Sequence, residues 1–259
     1  MIHPQIDVKT SIKLPQKLLD SYIFKKVSGF IVIGGYNRTE LMGSMIYHYL
    51  HHNIAKRILL LEKTNRFRSS SFPSNLSIRT MQSESKDELD KHIQTAFRTN
   101  QNIICIEEIN NNENIPDILL ACQTGHAVLT TMTTTGISNI LDYLLPLESH
   151  ELLEFLDVFN GCISQYECFD EFNRPFILNE YFIMSDDDKT NLIDKNLKNS
   201  LGSINNQSFN KEFIIKNIET LIKINKTTFK DDLEEKYNQG VISKNIFDFY
   251  DDRLNDTAR

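Results

Sequence analysis

The feature that most constrains this chain is a set of short apolar runs that do not alternate with polar residues. They are Gly29-Phe30-Ile31-Val32-Ile33, Ile58-Leu59-Leu60-Leu61, Ile103-Ile104-Cys105-Ile106 and Ala127-Val128-Leu129. Successive side chains of a strand point to opposite faces, so a strand with one face in water alternates. An unbroken apolar run needs cover on both faces. Between the runs lie segments of helical period: Leu41, Met42, Met45, Ile46, Tyr49 and Leu50, and then Leu89, Ile93, Ala96 and Phe97. Strand and helix in alternation predict an α/β fold, a mostly parallel sheet with helices on both faces.

The same reading extends through the chain. A short helical stretch is expected around Leu18 and Leu19, and a long loop over 63–84 with a minor strand near Ile78. Helices are expected near Asp87–Phe97, Asp117–Thr124, Ile137 to before Pro146, and Ser149–Phe159. Residues 161–184 read as two edge strands joined by a turn at Asp170-Glu171-Phe172-Asn173-Arg174-Pro175. Past Asp186-Asp187-Asp188, carboxylates suited to a helix start, helical segments are expected at 188–198, 209–224 and 228–238, with 199–210 as a flexible connection. The division that follows is an α/β core over 1–185 and a helical region over 186–259.

Composition narrows the partners. A net charge of −7 and dispersed arginines (Arg66, Arg68, Arg79) argue against nucleic acid. No run reaches membrane-spanning length, and the N-terminus lacks a signal-peptide core, so a cytoplasmic chain without direct membrane insertion is expected. Cys105, Cys122, Cys162 and Cys168 lack a zinc-type spacing and read as thiols of a reducing compartment. His48 and His52 share a helix face, but no third ligand follows at suitable spacing, so no metal site is expected.

The end of the first strand carries the chemistry, or its loss. There the chain reads Gly34-Gly35-Tyr36-Asn37-Arg38-Thr39-Glu40-Leu41-Met42. A phosphate-binding loop at a strand–helix junction needs exposed backbone N–H groups, a lysine against the phosphate charge and a hydroxyl for magnesium. Glu40 instead puts a carboxylate at the mouth of the turn, and Leu41 and Met42 bring neither charge nor hydroxyl. Arg38 is the one cation at hand, on a different stem and with a different geometry. Glu108, at the end of the third run, is the carboxylate best placed to polarise a water, and Glu62 is a second, beside Lys63 with which it is expected to pair at the surface. His126, between a glycine and a buried run, reads as a hydrogen-bonded support of the fold.

The order of these segments resembles the motor ATPases of type IV pilus retraction and of type II and type IV secretion, over about residues 12 to 252. Thr124-Gly125-His126 and Gly161-Cys162-Ile163-Ser164-Gln165 match family motifs in order and spacing, and Gly240-Val241-Ile242-Ser243 matches a third. The family's phosphate-binding loop falls on Gly29 to Met42, with its lysine position at Leu41 and its serine position at Met42. Its acidic box falls on Leu61-Glu62-Lys63-Thr64, and its Walker B segment on Ile103 to Asn111. Its histidine box has Thr133 in place of the histidine.

The resemblance implies a RecA-like core with a small C-terminal helical unit. Because the departures collect in the catalytic positions, it implies a chain with weak or absent ATP–Mg²⁺ binding, no bound cofactor and no ATP turnover. Gly34, Gly35, Arg38, Leu41 and Met42 would be the remnant of the nucleotide site, and Glu62, Glu108 and His126 that of the catalytic set. The family's N-terminal domain, which resembles a PAS module and lends arginines to a neighbour's site, is not expected in this chain, with 28 residues before the first strand. A monomer or small oligomer is therefore expected for the isolated chain. The implied role is structural or regulatory, with an intact motor ATPase or a pilus or secretion platform protein as partner. Two alternatives stand: a diverged but active ATPase using Arg38 and Glu108, and a RecA-fold binding module unrelated to secretion.

Overall fold

The structure is a computed structural model that describes residues 28–51, 57–62, 66–67, 77–82, 86–99, 101–109, 114–145, 149–202, 211–225 and 227–257. The expected helix at Leu18 and Leu19, and the residues Lys63, Thr64, Arg68 and His52, lie outside them. So does most of the 199–210 connection, though helix continues through Gly202.

The described residues build one seven-stranded sheet. Its strands are β1 (Gly29–Gly35), β2 (Arg57–Glu62), β3 (Ser77–Gln82), β4 (Ile103–Ile106), β5 (Ala127–Met132), β6 (Phe159–Phe169) and β7 (Pro175–Ile183). The spatial order is β3-β2-β4-β5-β1-β6-β7, and every pairing is parallel except the last. The helices are α1 (Arg38–His51), α2 (Lys86–Thr99), α3 (Ile115–Gln123), α4 (Ile137–Leu144), α5 (Ser149–Val158), α6 (Asp186–Gly202), α7 (Lys211–Asn225), α8 (Phe229–Asn238) and α9 (Lys244–Thr257).

The two-residue repeat of each strand sorts its side chains to opposite faces. Ile31, Ile33, Ile58, Leu60, Ile103, Cys105 and Leu129 lie on one face and pack against Leu41, Met42, Met45, Ile46 and Tyr49 of α1. Phe30, Val32, Leu59, Leu61, Ile104, Ile106 and Val128 lie on the other, against apolar residues of α2, α3, α4, α5, α6 and α7. Phe30 anchors this second face, edge-on to Phe155 at 6.0 Å, with Phe155 and Phe159 stacked at 4.9 Å. Leu192 of α6 and Ile214, Ile218 and Ile222 of α7 belong to this same cluster. A smaller cluster joins α8 and α9 to β6 and β7 through Cys168, Leu178, Leu233, Ile242 and Tyr250.

Two expectations change. β6 is not an edge strand: it pairs with β1 on one side and β7 on the other, and among the described residues β7 and β3 form the edges. Its polar residues Asn160, Ser164 and Gln165 are all buried. A further helix, α9, follows those expected. Its apolar residues Ile246, Phe247, Tyr250 and Leu254 are diluted by four aspartates, which hid the period. The aspartate run does begin a helix: Ser185 and Asp188 cap α6 reciprocally, the Ser185 N–H donating to the Asp188 carboxylate and the Asp188 N–H to the Ser185 hydroxyl.

Candidate functional site at the carboxyl edge of the sheet

In an open parallel sheet the carboxyl ends of the strands hold the site. Here β1 ends at Gly35, only Tyr36 and Asn37 intervene, and α1 begins at Arg38. Asn37 takes a left-handed conformation (φ 53°) to make this tight turn. The Gly35 N–H donates to Thr134 O at 2.9 Å and the Tyr36 N–H to Gln165 O at 2.9 Å. Two backbone donors are thus taken by the loop after β5 and by β6.

The glycines answer to the same crowding. A Cβ on Gly34 would stand 2.5 Å from Ile140 Cδ1 and 2.6 Å from Thr134 O. One on Gly35, where φ is +80°, would stand 2.0 Å from Gln165 O. The glycine pair is required by packing between β1, β6 and α4, with no phosphate invoked.

Leu41 and Met42, at the positions of lysine and hydroxyl in the motif, are fully buried in the α1 face of the core. Two ion pairs cross the mouth of the turn. Arg38 Nη2 lies 3.5 Å from Glu108 Oε1, with the two side chains 28% and 26% exposed, and Arg38 Nη1 reaches Gly35 O at 3.5 Å. Arg66 Nη2 lies 2.6 Å from Glu40 Oε1. Glu108 has φ 62°, and its N–H donates to Thr131 Oγ1 at 2.9 Å, which fixes the strand end. The candidate cation Arg38 and the better-placed candidate carboxylate Glu108 therefore face each other.

Glu62 departs from the surface pairing expected of it. It is buried, and its Oε1 accepts from the Phe67 N–H at 2.9 Å, while Oε2 has no hydrogen-bond partner among the described residues. Burial raises its pKa above the usual glutamate value, backbone N–H groups of Phe67 and Arg66 oppose that, and the neighbouring Glu107 charge adds to it. Glu107 is buried at the end of the adjacent strand.

His126 lies elsewhere. It precedes β5, at the opposite edge of the sheet from the glycine turn. Its Nδ1 is 3.1 Å from Ala121 O and 3.3 Å from Thr124 Oγ1, and its ring lies 5.3 Å from Phe97. Its carbonyl accepts from the Gly29 N–H, which ties β5 to the start of β1. The structure thus gathers Gly34, Gly35, Arg38, Leu41, Met42, Glu62 and Glu108 at one edge and leaves His126 at the other.

The partners of these residues were not legible in advance. Arg66 read as a dispersed surface arginine, and the carbonyls of Thr134 and Gln165 carry no sequence signal at all. Gln165 alone stood in a matching motif. Burial raises all four cysteine thiols, Cys168 to about 12, so none serves as a nucleophile. Among the described residues no group of three or more His, Cys, Asp or Glu is placed to hold a metal ion.

No protein-family model matches the chain, and no curated protein matches its sequence. Solved structures do. The ATPase DotB of Legionella pneumophila superposes with a TM-score of 0.75 at 20% identity, over 95% of this chain and 65% of that one. DotB of Yersinia pseudotuberculosis gives 0.74 at 17% identity, over 95% and 62%. The pilus retraction motor PilT with bound ADP gives 0.70 at 19% identity, over 95% and 67%. The chain thus spans a little under two thirds of the DotB chains it matches. No helix among the described residues is long and apolar enough to cross a membrane. The chain has the RecA-like α/β fold of the DotB and PilT ATPase structures.

Proposed function

We propose that this chain is a catalytically inactive relative of the pilus and secretion motor ATPases, with a structural or regulatory role in a type IV pilus or secretion machine. One observation carries the reading. The β1–α1 turn has its Gly35 and Tyr36 N–H groups bonded to Thr134 and Gln165, with Leu41 in the core where a phosphate-binding lysine belongs. Phosphoryl transfer rests almost wholly on positioning and charge stabilisation, and this turn offers little of either. Partners would be an intact motor ATPase or a platform protein of the same machine, met on the cytoplasmic side and peripheral to the inner membrane. The boundary near residue 185 would separate the sheet-building part from the helices that cover and extend it.

The active-ATPase alternative draws no support from the Arg38–Glu108 pair, in which each group neutralises the other. The test is calorimetric titration with ATP and magnesium. No saturable heat at micromolar nucleotide is expected, and a micromolar dissociation constant would overturn the reading. Loss of a phosphate-facing charge is worth about 1.5–3 kcal/mol, or roughly tenfold to a hundredfold in affinity.

A further inference from the structure

The surface of the helices that follow the sheet is unlike the rest of the molecule. Of nine large apolar side chains exposed among the described residues, five lie at the end of β6, in the β6–β7 turn, or in α8, α9 and their connection: Phe169, Phe172, Tyr237, Val241 and Phe249. Phe172, at the tip of the turn, is 72% exposed, and Phe249 on α9 is 50% exposed. These two sites are joined. The Tyr250 hydroxyl accepts from the Phe169 N–H at 2.7 Å, Tyr250 packs edge-on to Phe176 at 5.6 Å, and the Phe249 ring lies 5.0 Å from that of Tyr250. Phe249 thus stands beside the end of the hairpin that carries Phe169 and Phe172.

Charge selects what such a surface takes. Residues 170–174 and 229–257 hold ten acidic and five basic side chains, a net −5 of the chain's −7. Several acids are spent within the fold: Asp170 pairs with Arg174, Asp232 with Lys236 and Asp251 with Lys230, and Asp231 closes the cap of α8. Others flank the exposed rings. Glu171 precedes Phe172, and Asp248 and Asp252, both exposed and one turn apart on α9, bracket Phe249. Arg174 and Arg253 each lie over one of the two rings, at 5.0 and 4.7 Å, which holds the rings in place.

We infer that the β6–β7 turn and α9 form a docking surface for a basic segment of a partner protein, one that sets apolar anchors on Phe172 and Phe249 and lysines or arginines against Glu171, Asp248 and Asp252. Aromatic anchors within a charged rim are the usual anatomy of an energetic centre in an interface. A second copy of this chain bringing the same face would set like charge on like charge, and an anionic bilayer would meet the same repulsion. The inference is independent of the state of the β1–α1 turn.

The test uses the full chain and a fluorescent amphipathic peptide of leucine and lysine, with a leucine–glutamate peptide as counterpart, followed by anisotropy at physiological salt. Variants are the double substitution Phe172→Ser/Phe249→Ser, the reversal Asp248→Lys/Asp252→Lys, and Glu154→Lys on the exposed side of α5 as a charge control. Thermal melting confirms that each remains folded. The lysine peptide is expected to bind, to lose at least about tenfold in affinity with either double variant, and to keep its affinity with Glu154→Lys; the glutamate peptide is not expected to bind. Equal loss with Glu154→Lys would mean bare charge attraction and overturn the inference. So would absence of binding, or a concentration-dependent dimer that Phe172→Ser/Phe249→Ser abolishes, since a second copy would then be the occupant.

Discussion

The two ends of β1 use glycine for the same physical reason and have different chemistry around it. At the amino end, Gly29 (φ +104°) lies where a Cβ would stand 2.3 Å from Asn160 Nδ2, and its N–H donates to His126 O. Asn160 Nδ2 donates in turn to Ser28 O at 2.7 Å, and the His126 ring is held by Ala121 and Thr124. At the carboxyl end, Gly34 and Gly35 are equally crowded, but the groups around them are two ion pairs and a buried leucine. Motif residues at the amino end are bonded into the scaffold, so folding alone accounts for them. At the carboxyl end folding accounts for the glycines, and Leu41 is packed in the core beside two ion pairs, as the proposal of a closed, inactive edge requires.

The sharpest way to break this comparison is to place a lysine at position 41. If the carboxyl end were a latent phosphate site, Leu41→Lys would recover nucleotide binding. The side chain at 41 is fully buried among Met42, Met45, Ile46 and the sheet residues of the α1 face. A lysine there loses the apolar burial and desolvates an ammonium with no partner among these residues. We expect Leu41→Lys to lower unfolding free energy by about 3–5 kcal/mol and to yield no ATP hydrolysis. Chemical denaturation and a phosphate-release assay check both halves, and measurable turnover in a folded variant would reverse the comparison.

A middle-sized effect comes from Glu62, the buried carboxylate beside that edge. Burial raises its pKa above the usual 4.5, so the native state holds the proton to higher pH than the unfolded chain does. The group therefore costs no stability below the ordinary carboxylate range, and its cost grows as pH rises from near 4.5 through the raised native value. Glu62→Gln keeps an acceptor for the Phe67 N–H and removes the charge facing Glu107. It is expected to stabilise the protein by about 1–2 kcal/mol at neutral pH and to make little difference near pH 4. Melting curves of both proteins across that range decide it; a stabilisation independent of pH would mean the charge is not its source.

The sequence made the sheet legible because its signal is local and repeated. Unbroken runs such as Ile58 to Leu61 admit few placements, and their flanking helical periods fixed the alternation. β6 was harder, since buried Ser164 and Gln165 look like surface residues until their partners are seen: Ser164 Oγ accepts from the Gly136 N–H at 2.8 Å and Gln165 Nε2 donates to Asn179 Oδ1 at 2.9 Å. The same limit applied at the candidate site. The apolar character of Leu41 and Met42 could be read from the sequence directly. That Arg38 would meet Glu108, or Arg66 meet Glu40, depends on contacts 70 and 26 residues apart in the chain, which no local pattern encodes.

The smallest expected effect sharpens the comparison by testing what the Arg38–Glu108 pair does. The charges are 3.5 Å apart and about a quarter exposed, so water screens much of their attraction. If the pair only closes the edge, a double-mutant cycle with Arg38→Ala and Glu108→Ala should give a coupling below about 1 kcal/mol. Glu108→Ala alone also frees Arg38 from its counter-charge. Arg38 would then stand without that carboxylate beside a turn whose Gly35 and Tyr36 N–H groups remain bonded to Thr134 and Gln165. A single exposed guanidinium gains little from a phosphate in water, so the affinity of Glu108→Ala for ATP should stay weaker than about millimolar, some 4 kcal/mol of binding free energy. Tight binding on removal of that one carboxylate would show that Glu108 is a plug in a competent cradle, and the carboxyl end would then be a masked site instead of a packed one.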